Sequence, residues 1–197
     1  MSVRVLPAVA LLLALSACQR PPEPVAAPSG PDTAQTAQPV QPASPPAPPK
    51  PAAAVREQTA EHPSLQLPTV TGEAYDLAAH RGKWVVVNFW ATWCAPCLKE
   101  MPELSALHAM RNNVEVVGLA YEDIEVAEMQ AFLKAHPVAY PIAIVDTYQP
   151  PQDFAVPRGL PMSYLIGPDG KVVKQFLGPV QAHDIEAAIA EAGGKVG

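Results

Sequence analysis

From about residue 61 to the end of the chain, apolar side chains recur with two alternating periods, the two-residue repeat of strands and the 3.6-residue repeat of helices. Short alternating stretches at 64–67 and 73–76, joined across Thr71-Gly72, predict an N-terminal hairpin. Trp84–Trp90 is a nearly continuous apolar run with three valines, the composition of a strand buried on both faces, and 114–120 reads the same way. Between them, 95–111 has helical composition, with Leu98, Met101, Leu104 and Leu107 at three-residue spacing. Pro102 should break and kink that helix, because it has no N–H to give and its ring crowds the preceding turn. Val126, Met129, Phe132 and Leu133 predict a second helix that stops near His136-Pro137, and a short strand at Ile142–Val145 follows. Met162–Ile166 and Val172–Leu177 flank Gly167-Pro168-Asp169-Gly170, a hairpin signal. Ile185, Ala188, Ile189 and Ala192 then define a closing helix. βα repeats ending in a hairpin and a helix make an α/β fold.

The start of the chain is patterned differently. Arg4, an apolar stretch at 5–15 and the small residues Ser16 and Ala17 ahead of Cys18 have the layout of an export signal. The apolar run is too short to span a bilayer, which takes roughly 20 apolar residues. Leu15-Ser16-Ala17-Cys18 resembles the lipobox of bacterial lipoproteins. That resemblance implies cleavage before Cys18 and lipid on its thiol and new amino group; the alternative is a plain secretory signal with Cys18 incidental. Gln19 stands where the inner-membrane retention signal of such proteins puts Asp, which favours the outer membrane. About a dozen of the 25 prolines fall between Pro21 and Pro51. Ala, Gln, Ser and Thr fill most of the rest of 19–57, so the stretch cannot bury enough surface to offset its ordering entropy, and a disordered tether is expected. The chain thus divides into a signal peptide (1–17), a lipidated cysteine with a Pro- and Ala-rich tether (18–57) and one folded domain (58–197).

Charge enters by exclusion. With 13 Lys and Arg against 19 Asp and Glu, a net charge of -6 and no basic stripe, nucleic acid is not an expected partner. The chemistry concentrates in Trp93-Cys94-Ala95-Pro96-Cys97, where a buried strand runs into a helix N-terminus. In that setting two cysteines separated by two residues read as a redox pair. Cys94 would sit before the first turn, near unpaired backbone N–H groups and the positive dipole end, which lowers its pKa below the free value of about 8.5. Cys94 is then the attacking nucleophile, and Cys97, one turn in, resolves the mixed disulfide. A purely structural Cys94–Cys97 disulfide is one alternative, although it would constrain little chain. Half of a zinc site is another, but there is no second Cys pair, and His62, His80, His108, His136 and His183 are scattered and expected at the surface. No metal or cofactor is expected beyond the redox-active disulfide.

Val86-Val87-Asn88-Phe89-Trp90-Ala91-Thr92-Trp93-Cys94-Ala95-Pro96-Cys97, with Glu100 and Pro102 following, closely resembles the thioredoxin-like lineage of TlpA, ResA and DsbE (CcmG) proteins, from about Ser64 to Ala192. The resemblance implies a thioredoxin fold, a central mixed sheet flanked by helices, with an extra helix and strand inserted at 121–145. It further implies that Gly159-Leu160-Pro161 is the cis-proline loop that faces the Cys pair, with Leu160 offering its backbone to substrate. Trp93, Ala95 and Pro96 complete the substrate-binding surface, Trp93 covering the disulfide, while Trp84 and Trp90 belong to the core. Asn88 stands where ordinary thioredoxins bury an Asp, so that carboxylate is missing. Glu100 matches an acid that ResA-like proteins place near the pair; it would raise thiol pKa values or take a proton from Cys97, unless it is a solvated helix residue.

The function implied is an extracytoplasmic thiol:disulfide oxidoreductase, on the periplasmic side of a bacterial membrane, reducing disulfides of partner proteins. Because that compartment is oxidising, a membrane electron donor of the DsbD/CcdA type is implied as a second partner. A dedicated role in cytochrome c maturation is the alternative within the family. A copper chaperone on the same fold is the alternative from another class; it calls for a wider Cys spacing with a His ligand, or for Met clusters, toward which only Met101 and Met162 offer anything. A peroxidase would need Pro and Thr where Val87 and Ala91 stand.

Overall fold

The computed structural model describes residues 57–197, so the signal, Cys18 and nearly all of the expected tether lie outside the described residues. The order is β1 (Gln66–Pro68), β2 (Ala74–Asp76), a 3-10 turn at Leu77–His80, β3 (Trp84–Trp90), α1 (Ala95–Met110), β4 (Val114–Tyr121), α2 (Val126–Ala135), β5 (Ile142–Val145), β6 (Met162–Ile166), β7 (Val172–Leu177) and α3 (Ala182–Glu191). β1 and β2 form an antiparallel hairpin, and the other strands form one sheet in the order β5-β4-β3-β6-β7. β3, β4 and β5 are parallel, joined by helical crossovers; β6 and β7 run antiparallel to their neighbours and need only the turn at 167–170. That turn closes with Gly170 N–H on Gly167 O at 2.8 Å and puts Gly170 at φ 87°, a conformation other residues resist. This is the thioredoxin fold with the implied helix–strand insert.

Alternation along β3 explains its all-apolar look. Val86 and Trp90 face one core, with Met101, Leu104 and Leu107 of α1, Met129 of α2 and Ile185 and Ile189 of α3. Val85, Val87 and Phe89 face the other, which is closed by Leu65, Tyr75 and Leu77 from the hairpin region and Phe154 from the β5–β6 connection. Trp84 and Trp90 are both core residues, as expected. At Gly118 of β4 an added Cβ would come within 2.5 Å of Ile142 Cδ1, so the strand gives way there to its neighbours' bulk.

Two expectations need correction, and one element goes beyond them. Pro102 does not break its helix: α1 runs continuously from Ala95 to Met110. An interior proline costs about 3 kcal/mol, whereas each of the buried Met101, Leu104 and Leu107 returns roughly 1.5–3 kcal/mol by keeping the helix docked. The 3-10 turn was not expected; Asp76 nucleates it by accepting from Ala78 N–H. Two histidines are not plain surface residues. His80 pairs with Glu115 and stacks on Tyr75 at 4.7 Å. Half-buried His108 accepts from Val116 N–H at 3.0 Å through Nδ1, and burial holds its pKa below the ordinary value.

Candidate active site

β3 delivers the chain to the cysteines. Directly after it, Cys94 N–H closes a turn on Ala91 O at 3.1 Å, and α1 starts with Cys94 as its N-cap. The Cys94 sulfur accepts from Cys97 N–H at 3.3 Å, satisfying one of the donors that a helix start leaves free. Pro96 lies in the first turn, where its missing N–H costs nothing. Cys94 and Cys97 are joined in a disulfide. Cys97 is fully buried and Cys94 is 4% exposed, whereas Ala95 and Pro96 are exposed and Trp93 is 69% exposed.

The antiparallel register of β3 and β6 brings the second loop to the same place. Met162 pairs with Phe89, so Pro161 lies at the end of the sheet where β3 hands over to the cysteine turn. The Leu160–Pro161 peptide is cis, as the resemblance implied. β7 ends here too: Leu177 pairs with Met162, and Gly178 N–H donates to Pro161 O at 2.9 Å. Three segments, 91–97, 159–162 and 177–180, therefore converge on one end of the sheet.

Glu100 is not a solvated helix residue. It is 2% exposed, one turn beyond Cys97, and its carboxyl accepts from Asn88 Nδ2 at 2.8 Å and from Val180 N–H at 2.8 Å. Burial pushes it up to about 7, against the lowering effect of the Val180 and Asn88 hydrogen bonds. Such an acid changes charge near neutrality, where thiol chemistry needs a proton acceptor.

Residues 59–175 match the AhpC/TSA family. The thiol-disulfide oxidoreductase ResA of Bacillus cereus is 34% identical over 128 residues, 64% of this chain and 73% of that protein. ResA of Bacillus subtilis is 34% identical over 121 residues, 60% of this chain and 66% of its own. The crystal structure of a putative thiol:disulfide interchange protein DsbE from Chlorobium tepidum covers 70% of this chain and 98% of its own, with a TM-score of 0.57 and 28% identity. The chain belongs to the AhpC/TSA family, in its TlpA/ResA/DsbE branch.

It is a thiol:disulfide oxidoreductase of the thioredoxin type. Membership of the AhpC/TSA family does not make it a peroxidase, since Val87 and Ala91, both 0% exposed, fill the places a peroxidatic cysteine needs for Pro and Thr. Of the two methionines noted in the sequence, Met101 shares the buried cluster that holds Cys94 and Cys97. Met162 belongs to the opposite core, where its sulfur accepts from Gln175 Nε2 at 3.2 Å.

Sequence reasoning missed four contributors: Ser163, Thr92, Glu122 and Val180. Ser163 accepts from Asn88 Nδ2 at 2.9 Å. It had a legible signal, a polar residue inside the apolar run Met162–Ile166, as Asn88 is inside Trp84–Trp90. Thr92 and Glu122 had none, because their pairing spans 30 residues and exists only once β3 and β4 are adjacent. Val180 acts through its main chain, which no residue type announces.

Proposed function

We propose that this chain is an extracytoplasmic reductase of protein disulfides, anchored to a membrane through lipid on Cys18. The carrying observation is the Cys94 sulfur at the N-cap of α1, backed one turn beyond Cys97 by a buried carboxyl. In the reduced enzyme, the Cys94 thiolate attacks a substrate disulfide, forming a mixed disulfide and releasing one substrate thiolate. Cys97 gives its proton to the Glu100 carboxylate and attacks the Cys94 sulfur. The Cys94–Cys97 disulfide forms, and the second substrate thiolate leaves with the electron pair. A membrane dithiol donor of the DsbD/CcdA type returns two electrons to the pair. The surface that admits substrate consists of Trp93, Ala95, Pro96 and the Leu160 backbone beside Pro161.

The direction follows from electrostatics. A carboxylate beside the pair destabilises the thiolates of the reduced state, which makes the dithiol a better reductant. Oxidants of this fold do the reverse and stabilise the reduced form.

Two measurements on the purified chain test this reading. Cys97→Ser should accumulate mixed disulfides through Cys94 on non-reducing gels, whereas Cys94→Ser should accumulate none. Equilibration with glutathione buffers should place the pair nearer the thioredoxin potential of about -270 mV than the DsbA potential of about -120 mV. Equal trapping by the two variants, or a potential at the oxidising end, would overturn it.

A further inference from the structure

Two polar side chains interrupt the apolar interior of the sheet, and they are register partners: Asn88 in the middle of β3 and Ser163 in β6, both 0% exposed. Asn88 Nδ2 donates one hydrogen to Glu100 Oε1 at 2.8 Å and the other to Ser163 Oγ at 2.9 Å. Its Oδ1 has no partner among the described residues. A buried acceptor without a donor is unfavourable, and an apolar residue of the same size would avoid it. The orientation is nonetheless dictated by its neighbours. Turning the amide over would set Oδ1 against a carboxylate oxygen and leave both N–H groups unused. Asn88 is thus aligned to serve the charged form of Glu100, and Ser163 holds it in that alignment.

We infer that Asn88, braced by Ser163, is a positioning residue that fixes the Glu100 carboxyl and sets the pH at which it binds a proton. The inference deepens the proposed proton transfer from Cys97 and rests on that reading for its catalytic consequence. Glu100 is faced by Asn88 from β3, with Ser163 of β6 behind it, and by Cys97 one turn back on α1. Val180 N–H approaches from the loop before α3, and Tyr140 from the segment before β5. Tyr140 is near enough that burial first, and then the Glu100 charge, push its hydroxyl pKa up. None of these groups is cationic. Asn88 is therefore the side chain that opposes the effect of burial on Glu100, and through Ser163 it ties the carboxyl to β6, the strand that directly follows Pro161.

The test is an NMR titration of the oxidised full chain, carrying 13C in its glutamate carboxyls, with the Glu100 signal assigned from Glu100→Gln. Asn88→Leu keeps the volume and removes the donor. It should raise the Glu100 midpoint by about one pH unit or more, the tenfold change in proton affinity expected when a hydrogen bond to a charged group is lost. Ser163→Ala should give a smaller rise, and Ser163→Thr should restore the parent value. A midpoint that stays put or falls in Asn88→Leu overturns the inference. Should Asn88→Leu not fold, Ser163→Ala decides by the same criterion. The pH profile with which Cys97 resolves a mixed disulfide on Cys94, followed in the reduced variants, separates the two claims. A Glu100 midpoint that rises while the Cys97 profile stays fixed upholds the positioning role and removes Glu100 from proton transfer.

Discussion

Thr92 gives both of its hydrogen bonds to one carboxylate: its main-chain N–H reaches Glu122 Oε1 at 2.7 Å and its hydroxyl reaches Oε2 at 2.9 Å. Glu122 is the first residue beyond β4, and Thr92 is two residues before Cys94. The pair therefore pins the segment that aims the cysteine turn to the neighbouring strand, at the end of the sheet where strand register is no longer there to hold it.

Loss of that clamp should be felt in both stability and reactivity. Glu122→Ala removes two charge-assisted hydrogen bonds and should cost about 1–3 kcal/mol, since the partly buried Thr92 N–H loses its acceptor. Glu122→Gln keeps one acceptor for that N–H and should recover part of the loss. Urea denaturation of the oxidised proteins reads the first effect, and the rate at which reduced Cys94 attacks a small disulfide reads the second. An alanine variant within about 0.5 kcal/mol of the parent, the range of an ordinary surface change, would show that Thr92 needs no clamp.

The buried Glu100 makes stability depend on pH in a direction opposite to that of most carboxylates. Its midpoint is about 7 in the folded chain, against an ordinary 4.5 once unfolded. Below the unfolded value the group is neutral in both states, and its contribution is fully present. As pH rises toward 7 the unfolded chain ionises first, so stability falls by ~3 kcal/mol across that window and levels off above the folded midpoint. Glu100→Gln cannot ionise and should abolish this slope. Denaturation of the oxidised parent and variant at several pH values from 4 to 8 measures it. Parallel curves for the two proteins would mean that Glu100 ionises in the fold as readily as in water.

How far each of these features was legible depended on whether it was local in the chain. β3, β4, α2, β6 and β7 follow from periodicity because burial on one or both faces writes itself into consecutive residues. The cysteine turn was legible for the same reason, a strand, two cysteines and a helix start within a dozen residues. Pro102 misled because local propensity was weighed without the docked face that outvotes it. Glu100 was placed by resemblance, but its burial depends on Asn88, Ser163 and Val180, the last 80 residues away. In the sequence Asn88 marks only a missing carboxylate; the fold shows that the acid is supplied instead from α1, with Asn88 donating to it.

Membrane attachment can be separated from catalysis by one substitution. On the proposed reading, lipid on Cys18 supplies the attachment, at about 0.8 kcal/mol for each buried methylene. The chain's charge and the composition of the expected tether add little to it. The net charge of -6 is repelled by anionic headgroups, the stretch from Pro21 to Pro51 has almost no large apolar side chains, and no described helix is long and apolar enough to cross a bilayer. On that reading, Cys18→Ser should move the protein from the membrane fraction to the soluble fraction. Its rate on a soluble disulfide substrate should stay within about twofold of the parent, because the proposed dithiol chemistry runs through Cys94 and Cys97 and draws no group from residue 18. Fractionation before and after a high-salt wash, with the oxidoreductase activity of each fraction, is the measurement. A Cys18→Ser protein that still sediments with membranes after the wash would assign the attachment to something other than lipid on that cysteine, and a released protein without activity would make the anchor part of the active molecule.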